Sequence, residues 1–418
     1  SSKPYTQTSG LNGRHIAIWQ SHGRYYNQKE KRWEWQRPRL FETVEDLFTQ
    51  SYVLPFLVPM LENAGAVVVL PRERDLQTHE SVVDNDSALG YSEGGVKSAW
   101  ATADSAGFSN SKVIYLQGDN PFRSGTARYA KTTEDSDNLS TASWKPQLEQ
   151  DGEYAVYVSY QSFPNSCTKA HYEVRHNGGT TTFEVNQKMG GGTWIYLGTF
   201  GFSSSADNQG VTLTNQGARG GIVSADAVRF GGGMGNIARS PAKEDEDGKP
   251  IDIGFDVEPE TSSYPRFCEA ARYNLQWAGM VDTIYSKFKG CNDYTDDIAA
   301  RGRWVNAMAS GSSRIPEAKG GYNIPLDLSM ALHTDAGITA NDSVVGTLAI
   351  FTLSGDDQSE IFKYGGERWI SRELTDIIQS QVVDDIRATY EPQWVRRSLW
   401  DRNYGESRVP EVPSMLLE

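Results

Sequence analysis

Two of the six histidines in this 418-residue chain lie where a catalytic metal ion could be held. His22 follows the apolar run 14–19 (RHIAIW), and His333 follows 327–332 (DLSMAL); both runs predict buried strands. Sites in open sheets form at the carboxyl ends of strands. Two imidazoles and one carboxylate make a common hydrolytic zinc site that leaves one position open for water. The pair therefore points to metal-assisted hydrolysis.

Four carboxylates are candidates to complete such a site. Glu42, Glu45 and Asp46 are spaced so that they share one face of a helix predicted to begin near Thr43. Glu418 follows the last predicted strand. An acidic first turn is also typical of helix-dipole compensation. The residue pattern alone leaves open which of the three clustered carboxylates binds the metal.

Composition excludes several other classes of protein. A net charge of −14 argues against nucleic acid as a partner. The sequence has no apolar run of about 18 residues, so we predict no membrane span. With three cysteines and no CxxC pair, a cysteine-ligated zinc site is not expected. Cys268 and Cys291 could pair, which the sequence does not settle.

The pattern of apolar residues changes twice along the chain. A strand–helix–strand pattern over 14–70 predicts parallel pairing. From about residue 81, short alternating runs separated by glycine and asparagine turns predict an all-β sandwich. After a charged linker, helical patterns return, and they predict helices at 264–279 and 369–390. We predict an α/β fold, with a mixed, mostly parallel sheet flanked by helices, in two pieces at 1–80 and 233–418. A β-sandwich at 81–232 would interrupt it.

The two outer pieces resemble the zinc amidases that cleave N-acetylmuramoyl-L-alanine bonds, over roughly residues 14–75 and 320–418. The resemblance is carried by four stretches in order, which are 16–23 (IAIWQSHG), 61–70 (LENAGAVVVL), 329–336 (SMALHTDA) and 412–418 (VPSMLLE). It implies a Zn²⁺-dependent hydrolase acting on an amide bond in peptidoglycan or another cell-wall glycan.

Residue by residue, the resemblance implies His22, Glu45 and His333 as zinc ligands. It implies Glu418 as the catalytic glutamate that activates water and protonates the leaving amine. Asp335 would bind substrate or orient His333. The chain departs from the family in several places. Arg24 stands where a second glycine usually follows His-Gly, and the aromatic loop 25–35, the prolines of the first helix and residues 234–320 are additional. The family also continues beyond the glutamate at which this chain ends. We therefore expect a fragment.

The interrupting segment resembles the golvesin C-terminal domain. The matching stretches are 152–160 (GEYAVYVSY), 172–179 (YEVRHNGG), 192–198 (GTWIYLG) and 225–230 (ADAVRF). Proteins that combine the two domains are often labelled xanthan lyase-like. The resemblance implies a sugar-binding or spacer module in which His171 and His176 are structural.

Two alternative functions remain open at this stage. One is a polysaccharide-degrading, xanthan lyase-like enzyme, which would need a base to abstract a proton next to a carboxylate. The other is a non-catalytic, carbohydrate-binding cell-surface protein. For all three functions we expect a secreted, periplasmic or cell-surface location.

Overall fold

The computed structural model describes residues 10–40, 42–95, 99–253, 257–334 and 345–418. Its strands are β1 His15–Gln20, β2 Arg24–Asn27, β3 Arg32–Trp35, β4 Val67–Val69, β5 Ser81–Val83, β6 Tyr91–Gly95, β7 Ala101–Gly107, β8 Gly125–Lys131, β9 Ser140–Trp144, β10 Gly152–Val158, β11 Ala170–His176, β12 Gly179–Val185, β13 Ile195–Phe202, β14 Gly210–Thr214, β15 Ile222–Ala225, β16 Val228–Phe230, β17 Leu328–Leu332, β18 Ala349–Phe351, β19 Trp400–Asp401 and β20 Ser414–Leu417. Its α-helices are α1 Glu45–Tyr52, α2 Val58–Asn63, α3 Ala271–Trp277, α4 Asp282–Tyr285, α5 Asp293–Ala309, α6 Trp369–Thr389 and α7 Gly405–Arg408.

One sheet of six strands carries the first and last parts of the chain, in the order β19-β18-β20-β17-β1-β4. β1 pairs in parallel with β4 and β17, and β17 pairs in parallel with β20. β18 runs antiparallel to β20. Because neighbouring side chains alternate along a strand, Ala17 and Trp19 pack on one side against α3 and α5, while Ile16 and Ile18 face the other.

The first helical segment is interrupted, as its prolines predict. α1 ends at Tyr52, a π-helical turn spans Val53–Leu57, and α2 starts at Val58. Pro55 lies within the π-helical turn and Pro59 lies in the first turn of α2. Proline has no N–H to donate, so an ordinary α-helical ladder cannot run through both positions. The segment still buries Val53 and Val58 against the sheet.

The middle of the chain forms two antiparallel sheets that pack face to face. One has the order β13-β10-β16-β5 and the other β12-β11-β14-β9-β6. Their inner side chains share one apolar core, which includes Trp144, Tyr154, Tyr172, Leu213 and Phe230. A three-stranded sheet, β15-β8-β7, and the hairpin β2-β3 are also antiparallel.

The predicted α/β fold class is wrong for this protein. Strand residues outnumber helical residues in the described parts of the chain, and four of the five sheets formed there are wholly antiparallel. Among the residues that the structure describes, parallel pairing is confined to the six-stranded sheet and to a few isolated bridges. The strand–helix–strand signal over 14–70 is local, and it does not extend to the described residues between β16 and α3. The predicted domain boundaries stay a prediction.

Two smaller expectations concern cysteines and membranes. Cys167, Cys268 and Cys291 are all free thiols, so the pair left open by the sequence is not bonded. Among the described residues, no helix is both long and apolar enough to cross a membrane.

A buried ion pair joins the sandwich to the segment that leaves the six-stranded sheet. Glu73 follows β4, Arg229 lies on β16, and Arg229 Nη1 is 2.7 Å from Glu73 Oε2. Both side chains are almost completely buried, and the Tyr157 hydroxyl also donates to Glu73. Burial would raise the pKa of Glu73, but the Arg229 charge outweighs it and the pKa lies below its usual value. The carboxylate is therefore ionised and neutralises a buried cation.

We expect Glu73→Ala to lower the free energy of unfolding by about 3–5 kcal/mol, because it leaves the Arg229 charge buried without its nearest partner. Glu149→Ala is the matched control. Glu149 pairs with His79 at 2.9 Å but is largely exposed, so its loss should change stability by less than about 1 kcal/mol. Urea unfolding followed by circular dichroism measures both values. Equal losses in the two variants would contradict this role of the buried pair.

Candidate metal centre

The register of β1 and β17 brings the two predicted histidines together. The strands pair in parallel with Gln20 opposite Leu332, so both end at the same edge of the sheet. His22 and His333 follow there, with ring centroids 4.7 Å apart. Both side chains are buried. The sequence-based placement of these two residues at neighbouring strand ends therefore agrees with the structure.

Helix α1 supplies the carboxylate nearest to both imidazoles. Glu45 is its first residue, and its Oε1 lies 2.8 Å from His333 Nδ1 and 3.8 Å from His22 Nε2. One ligand atom from each of the three residues lies within 4.8 Å of the others. Two nitrogen ligands and one carboxylate oxygen fit an open catalytic zinc site. The role of these residues as ligands stays a prediction.

The two other clustered carboxylates have different surroundings. Asp46 is buried, and its Oδ1 accepts a hydrogen bond from the His22 backbone N–H at 3.0 Å. It therefore holds the loop that carries His22. Glu42 is exposed and has a φ of 65°, in the left-handed region. Of the three, Glu45 alone is among the residues grouped around the candidate metal position.

Gly23 is required by packing next to His22. It has a φ of 138°, and a Cβ atom there would lie 2.7 Å from backbone atoms of Glu269 and Ala270. A larger residue would push this loop away from the segment before α3. The sequence signal His-Gly thus reflects close approach of two backbones at least as much as access for a metal ion.

The charges around the site give the two imidazoles different pKa values. Burial, followed by the nearby Arg301 charge, lowers the pKa of His22 well below its ordinary value, so the ring is neutral. Burial also lowers the pKa of His333, but Glu406 and Glu45 outweigh it and raise that pKa to about 9. A metal ion and a proton compete for the same nitrogen lone pair. A cation held between His333 and Glu45 would take the place of that proton.

Arg301, on α5, places a positive charge next to one of the two imidazoles of the candidate metal site. Its Nη2 lies 3.1 Å from His22 Nδ1. A guanidinium group only donates, so Nδ1 accepts and the neutral ring carries its proton on Nε2, which faces Glu45. Binding of a metal ion at Nε2 must displace that proton.

The predicted catalytic glutamate lies beside His333 in the sheet. His333 N–H donates to Leu417 O at 2.9 Å, and Glu418 is the next residue. Backbone hydrogen bonds of 2.8 and 2.7 Å join Glu418 to Leu348, the residue before β18. The end of β20 is therefore held in place. Asp335, predicted to bind substrate, lies outside the described residues.

Sequence reasoning missed two buried charged residues at this site. Glu406, on α7, lies within 3.0 Å of His333 Nε2, and Arg301 lies 2.6 Å from Glu406. Glu406 belongs to a short polar segment that has no recognisable motif. In the sequence, Arg301 has other charged residues nearby, and this pattern is typical of a helix that is partly exposed to solvent. Neither position carries a signal that single-sequence patterns could have found.

We expect His333→Ala to abolish stoichiometric zinc binding, because it removes one of three protein ligands. The unmodified protein should retain one zinc ion per chain after dialysis, measured by plasma mass spectrometry. His176→Ala is the control: this ring stacks on Phe200 in the sandwich, with centroids 4.6 Å apart, and should not affect zinc. Full zinc occupancy in the His333 variant would refute the ligand assignment.

Comparison with known proteins supports the golvesin resemblance. Residues 91–232 match the Golvesin C-terminal domain family. A xanthan lyase of Bacillus sp. (strain GL1) is 32% identical over 130 residues, which are 31% of this chain and 14% of that enzyme. The chain thus spans about a seventh of that relative's length. The amidase part of the predicted resemblance stays a prediction.

Two of the similar solved structures each cover less than half of the chain. The structure of a Paenibacillus xanthan lyase matches with 26% identity and a TM-score of 0.29, covering 39% of this chain and 13% of that one. An exo-β-1,3-galactanase of Phanerochaete chrysosporium, solved with galactose, matches with 12% identity and a TM-score of 0.23, covering 37% and 29%.

Proposed function

We propose that this chain acts on or binds an extracellular polysaccharide. The observation that carries this proposal is the match of residues 91–232 to the Golvesin C-terminal domain, together with 32% identity to a xanthan lyase. A secreted, periplasmic or cell-surface location belongs to the same proposal. Of the alternatives left open by the sequence, polysaccharide binding or degradation is the best supported.

A cavity of about 430 Å³ offers a place for a saccharide unit. It lies where β4, β12 and β13 meet, and its walls include Tyr157, Tyr196, Arg74 and Glu184. The Arg74 guanidinium lies 3.6 Å from the centre of the Tyr196 ring. An aromatic ring can cover the apolar face of a sugar, and charged side chains can bind its hydroxyl groups.

We expect Tyr196→Ala to weaken binding to soluble polysaccharide by at least roughly tenfold, equivalent to about 1.4 kcal/mol. Binding is measured by affinity electrophoresis against xanthan and by co-sedimentation with peptidoglycan. Tyr390→Ala is the control, since that ring is 83% exposed and follows α6. Unchanged binding by the Tyr196 variant would rule out this cavity as the saccharide site.

The convergence of His22, Glu45 and His333 favours a second, more specific proposal: a metal-dependent hydrolase that cleaves an amide bond in peptidoglycan. These residues would hold Zn²⁺, which when bound polarises a scissile carbonyl and lowers the pKa of water toward about 7. The substrate expected from the sequence is the amide bond between peptide and muramic acid in peptidoglycan. Binding of the glycan by the sandwich and hydrolysis at this centre are compatible roles.

Glu418 is the residue proposed to move the proton. It follows β20 beside His333, and both its backbone N–H and its backbone C=O form hydrogen bonds with Leu348. A carboxylate in this position would take a proton from water and return it to the leaving amine. Glu45 cannot serve in both roles, because its Oε1 is oriented toward the two imidazoles.

We expect Glu418→Gln to retain one zinc ion per chain and to lose hydrolysis by roughly 10²- to 10⁴-fold, since an amide cannot accept the proton. Products released from purified peptidoglycan are identified by mass spectrometry. Glu173→Gln, a substitution on β11 of the sandwich, should retain full activity. Unchanged turnover in the Glu418 variant would exclude it as the base.

A further inference from the structure

A single buried carboxylate, Glu406, connects His333 to the interior of the protein. Its Oε2 lies 3.0 Å from His333 Nε2, and its Oε1 lies 3.2 Å from the same nitrogen. Its Oε1 accepts from Trp19 Nε1 at 2.5 Å and from Arg301 Nη1 at 2.6 Å. The residue is 6% exposed. Glu406 therefore faces the side of His333 that is turned away from Glu45.

We propose that Glu406 is a positioning residue that fixes which nitrogen of His333 is offered to the metal ion. A carboxylate only accepts hydrogen bonds, so it keeps a proton on His333 Nε2. The lone pair of Nδ1, 2.8 Å from Glu45 Oε1, is then left for a cation. Carboxylates behind metal-binding histidines fix the ring in this way and raise its basicity. This inference rests on the proposed metal centre.

The two oxygens of Glu406 are not equivalent, and this makes the inference testable. Oε1 faces two donors, Trp19 and Arg301, so the carbonyl of a glutamine at this position would occupy the same place. Its NH₂ group would then replace Oε2, 3.0 Å from His333 Nε2. An amide NH₂ only donates, so it opposes a proton on Nε2, which keeps only the more distant Oε1 position at 3.2 Å as an acceptor. The substitution therefore shifts the His333 proton toward Nδ1, the nitrogen that faces Glu45.

Glu406→Gln should therefore weaken zinc binding by about 10- to 100-fold although the side chain keeps its size. Affinity is measured by competition with a chromogenic chelator, which does not depend on turnover. Glu411→Gln is the matched control. Glu411 is also buried and pairs with Arg368 at 3.0 Å, so its loss destabilises the fold without touching His333. Zinc affinity should be unchanged in the Glu411 variant.

A measurement on the unmodified protein is independent of whether the variant folds. In zinc-loaded, ¹⁵N-labelled protein, the His333 ring should show a proton on Nε2 and metal coordination at Nδ1. The opposite assignment, or equal zinc affinity in the folded Glu406→Gln variant, would overturn the role of Glu406. Absence of zinc binding in the unmodified protein would instead refute the proposed centre itself, so the two failures are distinguishable.

Discussion

Buried arginine side chains hold together parts of this protein that no sheet connects. Arg229 joins the sandwich to the segment after β4, through Glu73. Arg272, on α3, pairs with Asp293 at the start of α5. Arg301 joins α5 to α7 through Glu406. Because an unpaired charge is very unfavourable in a protein interior, each of these contacts fixes two distant segments relative to each other.

The candidate metal centre depends on the same kind of contact. Strand register places His22 and His333 at one edge, but register does not determine how the rings turn. Their orientation is set by buried charged groups, with Arg301 at His22 and Glu406 at His333. The polar network beneath the site is thus continuous with the network that anchors α5 and α7. Stability and the geometry of the site are coupled through it.

Local features of this structure could be predicted, whereas the contacts between distant segments could not. The strand predicted at 14–19 is found at His15–Gln20, and the helix predicted at 369–390 is found at Trp369–Thr389, because apolar periodicity is a property of neighbouring residues. The helix predicted at 264–279 is reduced to Ala271–Trp277, after Pro265 and a short 3₁₀ turn.

The fold class could not be predicted from apolar periodicity, since it depends on which strands pair and in which direction. His22, Glu45 and His333 could be singled out because each follows or begins an element that the pattern reveals. Glu406 and Arg301 could not, since their importance comes only from contacts with His333 and His22, which lie 73 and 279 residues away in the sequence.

The cavity at the meeting of β4, β12 and β13 also has a consequence for solubility. Each of these is the terminal strand of its sheet, and residues of all three line the cavity. A terminal strand that lies close to other parts of its own chain is less open to pairing with a second copy, so this arrangement helps to protect one edge of each of these three sheets from edge-to-edge aggregation.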